Sequence, residues 1–154
     1  MKWITADTGT AETEPAVSIL ASDAGSENTA VFAAETVKEA VANRGPVFQD
    51  VLFRYIDEKQ LKDSDVYHAA GIDRKYFSKI RTRREYVPKK NTVMALGIAL
   101  HLELCEFEYL LQSAGYALMP SDKTDCIIRY CLEHHISDLS YINEQIHRYT
   151  GTTL

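Results

Sequence analysis

The chain's 154 residues are 45% hydrophobic and 25% charged, which excludes a fibrous or wholly disordered protein and is enough for one domain of ordinary size plus a tail. No run of about 18 apolar residues occurs, so nothing is expected to span a membrane. The formal net charge of −5 argues against a uniformly basic nucleic-acid binder, but the charge is uneven: residues 1–45 carry −4, residues 103–154 carry −5 and residues 46–102 carry +4.

The opening Met-Lys-Trp-Ile-Thr turns polar after Ile4 and offers no apolar core for a signal peptide, so a cytoplasmic protein is expected. Residues 1–29, rich in Thr, Ala, Ser, Glu and Asp, show no sustained period and read as a flexible tail or linker. Residues 30–42 hold a thin stripe of Phe32, Val37, Ala40 and Val41, a helix that flickers or docks, before Gly45-Pro46 punctuates the chain. The tail is therefore drawn over 1–45.

Phe48, Val51, Leu52, Tyr55 and Ile56 recur at the spacing of a helix burying one face. The stretch from Lys62 to Pro88 then reads as two short helices around a tight turn. Asp63 or Ser64 is placed to cap the first, Gly71 to make the turn and Asp73 to cap the second. Val66, Ala70, Ile72, Phe77 and Ile80 take the apolar positions, which turns Arg74, Lys75, Ser78, Lys79 and Arg81 towards solvent. Between Arg74 and Lys90 stand Arg74, Lys75, Lys79, Arg81, Arg83, Arg84, Lys89 and Lys90 against Glu85 alone, a local basic face on an acidic chain.

Val87-Pro88 opens another helix with proline in its first turn, carrying Val93, Leu96, Gly97 and Leu100; Gly97 leaves room for a neighbour to approach. Phe107, Leu110, Leu111 and Ala114 form the fifth helix, which Gly115 ends. Two more helices follow. Ser121 or Asp122 caps one with Ile128, Cys131, Leu132 and His135, and Ser137 caps another with Leu139, Ile142, Ile146 and Tyr149. Strand signals are absent, so the expected class is all-α: a five-helix bundle over 46–118, a C-terminal helical hairpin over 119–154 and the tail. Cys105, Cys126 and Cys131 fall in apolar helical patterns and are expected as reduced, buried thiols.

From Phe48 to Leu111 the chain resembles the Cro/C1-type (XRE) helix-turn-helix family. Val66-Tyr67-His68-Ala69-Ala70-Gly71-Ile72-Asp73 is similar to the family's turn, Tyr76-Phe77-Ser78-Lys79-Ile80 to its second helix, and Pro88 to Leu100 to its later proline-led helix. The resemblance implies duplex DNA as partner and a role in transcription regulation. It places Arg74, Lys75, Ser78 and Lys79 at base edges and Arg81, Arg83, Arg84, Lys89 and Lys90 at phosphates. Where the family commonly has Gln at the start of the first motif helix, this chain has Asp63, and Tyr67 replaces a small residue at the helix crossing. A carboxylate at that start caps its own helix and repels a phosphate.

Helix-turn-helix proteins usually bind as symmetric dimers, so a homodimer is expected. More loosely, residues 47–154 resemble an uncharacterised all-helical module found in bacterial proteins, sometimes behind unrelated domains. That resemblance implies the alternative, an adaptor that engages protein through the basic face or the hairpin.

Neither catalysis nor a cofactor is expected. Cys126, Cys131, His134 and His135 cluster, but Cys126 lies about 140° around a helix from Cys131, which forms no ordinary four-ligand zinc set. His68, His101 and His147 have no nucleophile or carboxylate constellation in sequence, and no phosphate-cradling Gly-rich loop, nucleophile elbow or His-Glu-x-x-His helix occurs.

Overall fold

The computed structural model describes residues 36–154. The expected tail over 1–29 and the start of the 30–42 segment lie outside the described residues. The chain divides into two units, Met1–Arg44 and Gly45–Leu154. In the first, residues 36–42 are helical, and Val37 and Val41 are exposed. This is one helix more than the five-plus-two expectation. A run rich in Ala, Glu and Lys favours it, and the Asn43 N–H donates to the Glu39 carbonyl at 2.8 Å.

The second unit contains α1 (Phe48–Glu58), α2 (Asp63–Ala69), α3 (Arg74–Thr82), α4 (Lys90–Ala99), α5 (Leu104–Ser113), α6 (Lys123–Glu133) and α7 (Leu139–Thr150). Among the described residues there is no strand, and no helix long and apolar enough to cross a membrane. The fold is all-α.

α4 is the central element. Val93 to Leu100 are buried without a break, because α4 packs against α2, α5 and α7 and has no solvated face along that run. Gly97 makes the α4–α5 contact possible: a Cβ there would stand 2.6 Å from Phe107 Cδ2, inside the ring's van der Waals surface. Around this axis α1 buries Phe48, Val51, Leu52, Tyr55 and Ile56 and packs on α5, while α6 packs on α5 and α7. Each such large side chain withdrawn from water contributes about 1.5–3 kcal/mol.

Helix ends are set by short-range chemistry. Asp73 accepts the Tyr76 N–H at 2.7 Å, Asp122 accepts the Asp125 N–H at 3.0 Å, and Glu103 with Glu106 closes a capping box on α5. Gln60, Gly71, His101, Gly115, His135 and Gly151 stop six of the helices in left-handed conformation.

Several expectations need correction. Neither Asp63 nor Ser64 caps α2: Lys62 holds the cap position and Asp63 is the first helical residue, its carboxylate turned to Arg81. Asp138, not Ser137, caps α7, and the Ser137 hydroxyl is engaged with His101 instead. Pro88 precedes α4 rather than opening it, and its carbonyl accepts the Tyr116 hydroxyl at 2.8 Å. Cys131 is buried, but Cys105 and Cys126 are exposed, since they point away from the stripes of their helices. Tyr149 is exposed as well, in the last turn of α7, whereas Ile142 and Ile146 face the core.

Candidate nucleic-acid interface

α3 is fixed from behind. Phe77 and Ile80 are buried, and the Phe77 ring meets Phe53 edge-on at 5.9 Å and Tyr67 at 5.7 Å. Tyr67 thus fills the crossing of α2 and α3 with an aromatic contact. With two inward anchors on a nine-residue helix, the opposite face points to water: Arg74, Lys75 and Ser78 are exposed there. Lys79 behaves differently. Its side chain is half-buried and its Nζ lies 4.3 Å from the centroid of the Tyr86 ring, a cation–π contact that draws it towards the loop after α3.

That loop is pinned to α1. Gln49 is buried and its Nε2 donates to the Arg83 carbonyl at 2.9 Å and to the Tyr86 carbonyl. The Tyr86 and Tyr76 hydroxyls lie 3.2 Å apart. Burial raises the Tyr76 phenol above its ordinary value, and the hydrogen bond to Tyr86 adds to this.

The five residues assigned to phosphates meet three different fates. Arg83 and Lys89 are exposed and make no ion pair among the described residues. Arg81 and Arg84 are held by carboxylates from earlier helices. Arg81 Nη2 sits 2.6 Å from Asp63 Oδ2, with its guanidinium 4.0 Å from the Phe53 ring centre, and Arg84 Nη2 sits 2.7 Å from Asp50 Oδ2. Lys90 leaves the face altogether. Its Nζ is 2.5 Å from Asp125 Oδ2, and the carboxylate, which also accepts the Met119 N–H, is only 2% exposed. It acts as a tie between α4 and α6, because a carboxylate out of water requires a cation beside it. Lys90, expected at phosphates, is thus engaged with Asp125 in this structure.

Of the basic run, Arg74, Lys75, Lys79, Arg83 and Lys89 therefore remain without a carboxylate partner among the described residues. Arg74 alone of these lines a cleft of about 330 Å³ between α2 and α3, together with Asp63, Ser64, Tyr67, Phe77, Ser78 and Arg81. This arrangement offers cations, a hydroxyl and an apolar floor to a polyanion.

Elsewhere the structure joins residues that no spacing announced. His101 Nδ1 lies 2.7 Å from Ser137 Oγ and His135 Nδ1 lies 3.3 Å from Glu103 Oε2, beside an open cavity of about 620 Å³. The Cys126, Cys131, His134 and His135 cluster disperses: Cys126 Sγ donates to the Pro120 carbonyl at 3.1 Å and His134 stacks on Tyr130 at 4.0 Å. Among the described residues, no group of three or more His, Cys, Asp or Glu is placed to hold a metal ion. Comparison with family models, curated proteins and solved structures yields no match to this chain.

Proposed function

We propose that this chain is a Cro/C1-like helix-turn-helix protein, non-catalytic and cytoplasmic, that binds duplex DNA as a transcriptional regulator and does so as a homodimer. In this reading α2 and α3 are the two motif helices and α3 enters the major groove. Arg74, Lys75 and Ser78 address base edges, Lys79 reaches them on leaving the Tyr86 ring, and Arg83 and Lys89 meet phosphates. The observation that carries the reading is the outer face of α3, where Arg74, Lys75 and Ser78 are exposed and Arg74 and Lys75 make no ion pair among the described residues, on a helix immobilised by Phe77 and Ile80.

Duplex binding across a salt series tests it. Arg74→Ala is expected to lower discrimination between sequences by about 1–3 kcal/mol, whereas Lys89→Ala weakens all duplexes alike and flattens the salt slope by about one. Absence of salt-dependent binding by the full chain would end this reading.

A second reading, docking of a protein partner, draws on the hairpin. Tyr130, Tyr141 and Tyr149 are exposed along α6 and α7 and line, with Cys126, Ile127, Cys131 and Gln145, a cleft of about 280 Å³. Tyrosine-rich exposed faces are characteristic of interfaces. An adaptor of this kind leaves α3 idle, so Arg74→Ala would not change its binding while Tyr141→Ala would.

A further inference from the structure

The two arginine–aspartate pairs beside α3 share a design. Asp63 presents both carboxylate oxygens to Arg81 Nη2, at 2.7 Å and 2.6 Å. Asp50 accepts Arg84 Nη1 at 3.0 Å and Nη2 at 2.7 Å, a fork-to-fork pair. Asp50 comes from the first turn of α1 and Asp63 from the start of α2, so two separate helices each supply one carboxylate to the cations that follow the exposed face of α3. A carboxylate and a phosphate each offer a guanidinium two anionic oxygens, and a guanidinium engaged with one is withheld from the other.

We propose that Asp50 and Asp63 are internal phosphate substitutes: they compete for Arg84 and Arg81 in the free protein and yield them to the DNA backbone most readily when α3 holds the duplex in register. The inference rests on the DNA-binding reading above. Its consequence is selectivity. Non-specific affinity comes from the number of phosphates neutralised, so withholding two arginines lowers it, while a duplex held by base contacts recovers them. Arg83 and Lys89 make the encounter.

Accessibility allows the exchange. The paired side chains are 48% and 38% exposed for Arg81 and Asp63, and 69% and 42% for Arg84 and Asp50. Pairs so exposed are held weakly and open readily. Phe53 keeps the Arg81 guanidinium in place, so the anion changes while the arginine stays. The Lys90–Asp125 pair, sealed between α4 and α6, takes no part. Asp65 supplies a matched control: it is exposed, lies two residues from Asp63 and makes no ion pair among the described residues.

The experiment measures affinity of the full chain for random-sequence duplex across a salt series, for wild type, Asp50→Asn, Asp63→Asn and Asp65→Asn. The first two variants are expected to bind roughly threefold more tightly each, with a salt slope steeper by about one, and to discriminate less between sequences. Asp65→Asn is expected to gain less than half as much, since it removes a charge without freeing an arginine. Arg81→Ala in the Asp63→Asn background should return binding to the wild-type level. If an Asn variant loses its melting transition, Asp50→Gln or Asp63→Gln replaces it. Equal gains from all three substitutions would reduce the effect to net charge and overturn the proposal. No gain in a wild type that does bind would overturn it while leaving the DNA reading intact, and no binding by any of the four proteins would remove both.

Discussion

Arg84 and Lys90 stand six residues apart in one basic run, yet they belong to opposite kinds of region. Arg84, with Arg81, lies on a rim where its carboxylate partner is reached by water, whereas Lys90 lies in the seam of α4 and α6, where Asp125 is almost fully enclosed. At the rim the solvent competes for every charge, so pairs form and dissolve at little cost. In the seam the Asp125 carboxylate has no access to water, so removal of Lys90 strands it. A basic side chain thus stays open to solvent at the rim and ties two helices together in the seam, and only the surroundings decide which.

The comparison breaks most visibly at the seam. Lys90→Ala is expected to cost about 3 kcal/mol in urea unfolding, because Asp125 keeps only the Met119 N–H. A cost below about 0.5 kcal/mol would place Asp125 in contact with water. Next comes the α4–α5 contact: Gly97→Ala gains about 1 kcal/mol of helix propensity but drives a methyl into Phe107, for a net loss of about 1–2 kcal/mol. A rise in melting temperature would show that the Phe107 ring can move aside. At the rim, Arg84→Ala should change stability by no more than about 1 kcal/mol, whatever it does to binding.

Smaller still is an alkaline effect. Burial raises the Cys131 thiol and the Tyr55 and Tyr76 phenols above their ordinary values of 9.0 and 10.0, so these groups stabilise the fold fully below those values. As pH rises through that range the unfolded chain ionises first, and the melting temperature should fall progressively. A flat profile from pH 8 to about 11 would contradict the burial of these groups.

The periodicity of Phe48, Val51, Leu52, Tyr55 and Ile56 located α1 because a helix buried on one face writes its stripe directly into the chain. The outward set Arg74, Lys75 and Ser78 was legible for the same reason, being what remains once Phe77 and Ile80 face inward. Caps were legible only to within a residue or two. Ser137 and Asp138 are both competent, and the choice fell to Asp138 because His101 engages the Ser137 hydroxyl.

Partners distant in sequence were not legible at all. Asp63 with Arg81, Asp50 with Arg84 and Lys90 with Asp125 are separated by 18, 34 and 35 residues, and no spacing rule links charges across a turn between helices. The basic run was therefore divided only into base-edge and phosphate candidates, whereas the fold sorts it into cations without an ion pair, Arg81 and Arg84 in exposed pairs, and Lys90 paired with the enclosed Asp125. Cys105 and Cys126 were misplaced inward because each lies close to true core residues, and one step of 100° carries a side chain from the core to the surface.

The left-handed residues that stop α1, α2, α4, α5, α6 and α7 bear on how quickly this molecule assembles. A helix whose end is set by its own next residue does not wait for a distant element to tell it where to finish. Connections are short and several successive helices pack on one another, as α4 does with α5 and α6 with α7, so little loop-closure entropy must be lost before that packing begins. Topologies of this kind, rich in local contacts, fold in about microseconds to milliseconds. The second unit should accordingly refold in that range.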